Sequence, residues 1–318
     1  MNRKILLFVF ALFLLLAGCA QAQEKPLDKI GVLLPHPVDD RGWNSKGYQG
    51  ILKVQSAMDL EISLKEDIRS SEAVKEAIRE FAEEEAGLII GHSHIYADIF
   101  MEVKDDFPSI HFVSFNGEVE GDNITSLHFD GYAMGYFAGM LASEMSEEGT
   151  IGTIAAFPFQ PEVQGYEDGA NYHSPSVNVL VEYVESWADE EKAVEVFHEM
   201  KNKGADIFYP AGDGYHVRVV EEVKKEGLYA IGYVGDQIDL GESTILTSTV
   251  QEVEKLYEYV ATQFKNGELE TGNKYYDFQE EVISLGSFGQ EVPEDIKKWL
   301  EEQVDTYIQT GKLPHETN

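Results

Sequence analysis

Residues 29–50, KIGVLLPHPVDDRGWNSKGYQG, read as a buried strand, a polar loop and the start of a helix. The run from Lys29 to Leu34 is short and apolar, as expected of a strand covered on both faces, and Ser45 to Met58 has helical spacing. Between them, Asp40, Trp43 and Asn44 fall where an open α/β sheet presents residues to a ligand, past the carboxyl end of a strand and at a helix entrance. Outward from this unit the alternation continues. Apolar runs at Leu60–Glu66, Leu88–Gly91 and Ile110–Phe115 are separated by amphipathic segments at Ser71–Glu85 and Tyr96–Asp105. Strands alternating with helices of this size predict βαβ units and parallel sheets.

The second half repeats the first. Ile30-Gly-Val-Leu33 returns as Ile151-Gly-Thr-Ile154, 121 residues later, and Ala73-Val74 returns as Ala193-Val194, 120 residues later. Two similar α/β halves predict two lobes with a cleft between them. Between the halves lies a helical run, Gly131 to Ala142, in which Gly135, Gly139 and Ala142 share one face and allow a neighbour close approach. A further helix is expected from just after Ser248 to about Phe264, and a terminal amphipathic helix from Pro293 to about Thr310.

The N-terminus has a different character. Arg3 and Lys4 precede an unbroken apolar run, Ile5 to Ala17, that is short for a membrane span and suits a secretory signal. Leu16-Ala-Gly-Cys19 matches a lipobox, and Cys19 is the only cysteine of the 318 residues, so an internal disulfide is excluded. The expected organisation is a lipoprotein signal peptide at 1–18 and a tether at 19–28, with lipidation at Cys19 holding the protein on the outer face of the cell membrane. Without the signal the chain keeps 22 basic and 58 acidic residues, a net charge of −36. Such a surface repels phosphate backbones and disfavours direct nucleic-acid binding.

Candidate chemistry is sparse. Asn44 offers a donor and an acceptor to a ligand edge, whereas Asp40 suits either a ligand or the N-terminus of its own helix. Gly212 in a strand-to-helix turn allows close backbone approach, and Asp213 beside it argues against phosphate. His92 and His94, two apart at a strand end, are the one pair with metal-ligand spacing. There is no Gly-x-Ser-x-Gly elbow and no P-loop.

Several short motifs then fall in order: Asp40-Arg-Gly-Trp-Asn44, Tyr136-Phe-Ala-Gly139, Gly165-Tyr-Glu-Asp-Gly169, Trp187-Ala-Asp189, Gly204-Ala-Asp206 and Ala211-Gly-Asp-Gly214. In these the mature chain resembles the basic membrane protein family of lipoproteins, nucleoside-binding components of ABC importers with a type I periplasmic-binding fold. The resemblance implies an α/β, two-lobed protein. One lobe comprises 29–127 plus 247–283 and the other 128–246 plus 284–318, with crossings near Leu127, Thr247 and Ile283. It also implies that Trp43 and Trp187 take the places of two rings that sandwich a base, although a Trp in a loop also serves as a lid on the core. The chain departs from the family at Val234, where relatives carry an Asp that grips ribose, and at Gln251, where they carry Lys. Asp236, two residues on, could substitute for that Asp only if its loop were rearranged.

The expected activity is therefore binding of a nucleoside-like molecule, without catalysis, cofactor or metal. An ABC permease or a membrane signalling partner would receive the signal. The alternatives are a regulatory lipoprotein whose ligand site has degenerated and which acts through a membrane partner, and a metal-dependent surface enzyme using His92 and His94.

Overall fold

The computed structural model describes residues 29–317 except Arg41. The expected signal peptide, tether and Cys19 lie outside the described residues.

Two six-stranded sheets are each built by the same walk. In the first, β1 (Lys29–Leu33) is followed by α1 (Trp43–Met58), β2 (Glu61–Lys65), α2 (Ser71–Glu83), β3 (Leu88–Gly91), α3 (Ala97–Val103), β4 (His111–Phe115) and β5 (Ile124–Phe129). In the second, α4 (Tyr132–Met145) leads into β6 (Thr150–Ala155), α5 (Pro161–His173), β7 (Asn178–Tyr183), α6 (Glu190–Asn202), β8 (Ile207–Ala211), α7 (His216–Lys225), β9 (Tyr229–Val234) and β10 (Ile245–Gln251). The spatial orders are β2-β1-β3-β4-β5 and β7-β6-β8-β9-β10, parallel throughout, so the internal repeat is a repeat of topology. Past β10 the chain makes α8 (Val253–Lys265) and then β11 (Gly272–Tyr276), which adds parallel to β5. It finishes with β12 (Ile283–Leu285), antiparallel to β10, and α9 (Glu294–Thr310).

The crossings differ in place from those expected. Leu127 lies inside β5, and the chain leaves the first lobe after Phe129. Thr247 pairs with Ile231 in the second sheet, so residues 247–251 stay in the second lobe and the helix expected from Ser248 begins at Val253. The reason is register: β10 has to run to Gln251 to complete its ladder with β9 and to accept Ile283 of β12. The third crossing lies between Tyr276 and Ile283.

Local signals explain most elements. Ser70 caps α2 by accepting from the Ala73 amide at 3.2 Å, and Val74, Ala77, Ile78 and Phe81 form its buried face. α4 is buried along most of its length and lies directly on α5. A Cβ built at Gly135, Gly139, Gly165 or Gly169 would stand 2.0 Å from a backbone oxygen of the facing helix. The small-residue face read from the sequence is thus a backbone-to-backbone seam. Each sheet has an outer core, around Phe81, Phe100 and Phe112 in the first lobe and Phe197, Phe208 and Val219 in the second, and a third core runs between the lobes.

Candidate functional site

In both sheets the strand order reverses beside the first strand, between β1 and β3 and between β6 and β8. Ligands of open α/β sheets bind past the carboxyl ends of the strands at such switch points. The loops leaving β1, β3, β6 and β8 do line one cavity of about 760 Å³ between the lobes, contributing among others Asp40, His94, Phe159 and Asp213.

In the first lobe, Asp40 is occupied by its own helix. Its Oδ1 accepts from the amides of Gly42 and Ser45, both at 3.0 Å, and its Oδ2 from the amide of Asn44 at 2.8 Å and from Asn44 Nδ2 at 2.7 Å. A carboxylate at a helix N-terminus is stabilised by just these otherwise unpaired amides. The contact also orients Asn44: its NH₂ must face the carboxylate, so its Oδ1 is left buried and without a partner. Trp43 donates from Nε1 to the His92 carbonyl at 2.8 Å and stacks on the His92 ring, with centroids 4.3 Å apart and planes at 11°. Phe115 and Phe129 meet it edge-on. One face of Trp43 is therefore covered, and the opposite face is the one left for a ligand.

His92 holds this arrangement from behind. Its Nε2 bonds the Trp43 carbonyl at 2.8 Å, which can only accept, so Nε2 carries the proton and Nδ1 accepts from Tyr257 Oη at 3.1 Å. Burial outweighs the Trp43 carbonyl and Asp40 and lowers its pKa to about 4. His94 instead lines the cavity, where burial also lowers its pKa, and its ring meets Phe159 at 5.6 Å. The two histidines do not converge: both nitrogens of His92 are engaged. Among the described residues no cluster of three or more His, Cys, Asp or Glu is placed to hold a metal. His92 is therefore not free to join His94 as the ligand pair that the metal reading needs.

In the second lobe, Trp187 is one ring of a cluster. Phe157 lies 5.4 Å and Phe159 6.3 Å from it, and the two Phe rings stack at 5.4 Å and 9°. Phe159 is 62% exposed and reaches across to His94. The Trp187 carbonyl accepts from the Gly214 amide at 2.7 Å, which fixes its loop to the turn after β8. Below the rings, Gln160 Nε2 and Tyr233 Oη both donate to Glu162 Oε1 at 3.0 Å, and burial raises the Glu162 pKa.

The lobes meet at Gly42 and Asp213. A Cβ at Gly42 would stand 3.2 Å from Asp213 Oδ1 and 3.1 Å from His216 Cε1. Burial first, then repulsion from Asp40, push the Asp213 carboxyl up to about 8, against the Trp43 amide that favours its charged form. Its Oδ1 is buried and has no hydrogen-bond partner.

Two predicted residues stand elsewhere. Gly212 is not on the cavity wall: its N–H donates to Pro210 O at 3.1 Å, and a Cβ there would be 2.1 Å from the Tyr215 ring. Its glycine serves packing of Tyr215. Asp236 is also off the wall, its Oδ2 accepting from Ser287 N at 3.0 Å and Ser287 Oγ at 2.7 Å, which ties the loop after β9 to the loop after β12. Val234 and Gln251 do line the cavity. Val234 has φ +65°, a left-handed conformation that is costly for a β-branched side chain. Sequence reading missed Phe159, although the repeat supplied a signal: shifted by 121 residues, the loop after β1, 34–42, falls on 155–163, which contains it.

Residues 27–317 match the family described as ABC transporter substrate-binding protein, PnrA-like. The chain is 44% identical over 310 residues to the transcriptional activator protein Med of Bacillus subtilis (strain 168), covering 97% of this chain and 98% of that one. It is 27% identical to a purine-binding protein of Brucella abortus (strain 2308), over 94% of this chain and 85% of that one. Among solved structures, a transcriptional activator of the comK gene from Bacillus halodurans superposes with a TM-score of 0.83 at 50% identity, over 90% of this chain and 100% of that one. These relatives share a two-lobed periplasmic-binding architecture built for holding solutes or regulating, not for catalysis. The chain belongs to the basic membrane protein family, the PnrA-like substrate-binding proteins of ABC transporters.

Proposed function

We propose that this chain is a lipid-anchored receptor on the outer face of the membrane that closes its lobes on a nucleoside-like, purine-type molecule. The observation that carries this is the cavity itself: one open aromatic face, Trp43, on the first lobe, and the Phe157–Phe159–Trp187 cluster on the second. Flat heteroaromatic rings suit such walls, and stacking is worth about 1–3 kcal/mol per ring. A relative bearing a purine-binding name supports the choice of ligand. The motif around Cys19 supports the anchor.

The test is calorimetry of residues 20–318 against purine bases and nucleosides. We expect saturable binding that weakens by about 1–3 kcal/mol in Trp43→Ala. Failure of every purine compound to bind or to raise the melting temperature would sink this reading.

A second reading has its own support. Val234 puts a strained apolar residue on the wall, Asp236 is held away from it, and two relatives are named as activators. On this reading the protein is a positive regulator of competence acting through a membrane partner, with ligand binding weak or lost. Its signature is a competence defect on deletion that Trp43→Ala does not reproduce.

A further inference from the structure

Five carboxyl groups and one guanidinium line the cavity among the described residues: Asp39, Asp40, Asp130, Glu162, Asp213 and Arg69. The one cation among them, Arg69, is paired with Asp67 at 2.9 Å. His36, His94 and His128 also face the cavity, and burial holds His36 and His94 below the ordinary histidine pKa. The acids are not equally available. Asp40 is filled by amides of α1, and Glu162 by Gln160 and Tyr233.

What is left unfilled is of one kind. Asn44, only 3% exposed, has a buried Oδ1 with no donor, and Asp213 has a buried Oδ1 with no donor. Asn44 Oδ1 is an acceptor, its orientation being fixed by its bond to Asp40, and Asp213 Oδ1 becomes one once its carboxyl is ionised. A buried acceptor left unpaired costs stability, and a ligand bringing N–H groups removes that cost. Six aromatic side chains stand on the same wall, Trp43, Phe129, Phe159, Trp187, Tyr233 and Tyr275. Aromatic faces carry negative electrostatic potential and attract cations, and anionic groups gain nothing on such a wall.

We propose that the cleft selects a planar organic cation, a heteroaromatic ring with positive charge and N–H donors, over its neutral and anionic counterparts. The donors meet Asn44 Oδ1 and Asp213 Oδ1, and the charged ring lies on the open face of Trp43. In the empty protein burial keeps the Asp213 carboxyl protonated. A cation beside it favours the carboxylate, and the released proton goes to solvent. The proposal rests on the purine-type reading above and adds the charge of the ligand.

The experiment compares guanosine, N7-methylguanosine and guanosine monophosphate by calorimetry in mildly acidic buffer, where the methylated ring keeps its positive charge. 1-Methylnicotinamide, methylated on the ring nitrogen, serves as a planar cation that is not a purine. Expected is binding of N7-methylguanosine about tenfold or more tighter than guanosine, with guanosine monophosphate weakest. Asp213→Asn, checked for folding by its melting curve, should narrow the first ratio to within about threefold. Guanosine binding as tightly as N7-methylguanosine in the wild-type protein overturns the charge selection and leaves the purine reading standing. 1-Methylnicotinamide binding where no guanosine compound does overturns the purine reading and supports charge selection. Absence of binding by all four overturns both.

Discussion

At the scale of single residues the cleft depends on a histidine that touches no ligand. His92 backs Trp43, and it does so uncharged, with its pKa lowered to about 4 by burial. The unfolded value is 6.5, so the unfolded chain binds the proton more readily. Stability from this group is fully present above pH 6.5 and is lost as pH falls through 4, a change of about 3 kcal/mol. Urea unfolding at neutral and acid pH measures it, and His92→Gln should flatten the acid limb. Trp43, Asn44 and Asp40 were legible in the sequence because strand, loop and helix start are all local signals. The roles of Asp40 and Gly212 were not, because a carboxylate filled by its own helix and a glycine required by a tyrosine three positions away look like ligand groups until their partners are seen.

At the scale of elements, the seam of α4 on α5 is the point least tolerant of change. Gly169→Ala would place a methyl carbon 2.0 Å from the Tyr136 carbonyl oxygen, and neither backbone can yield within a helix. We expect destabilisation of about 3 kcal/mol or more, read as a lowered urea midpoint. Ala142→Gly on the facing helix α4, which adds no atom to the seam, should cost only about 1 kcal/mol. Periodicity located the helices well, since their buried faces recur at helical spacing. It placed the return to the first lobe too early, because Thr247, Ser248 and Thr249 are polar-looking residues in a strand buried throughout its length. Nothing local announces that such residues continue a ladder.

At the scale of the whole molecule, two lobes touch through a carboxyl group that prefers to be neutral. Asp213 is raised to about 8 from an ordinary 3.8, so its favourable contribution is fully present below pH 3.8 and is lost as pH rises through 8. Above that pH its charge faces Asp40 across the cleft. Small-angle scattering of the unliganded protein should show the radius of gyration increasing through pH 8, and Asp213→Asn should remove the step. The two outer strands contributed by the C-terminal part, β11 to one sheet and β12 to the other, carry a different consequence. Made from the N-terminus onward, the chain has the inner strands of both sheets long before either edge exists. Neither lobe can finish alone, and a nascent chain stopped short of residue 272 carries two open sheet edges, each a template for pairing with another chain. Completion of the two lobes is therefore a single late event in the life of the polypeptide.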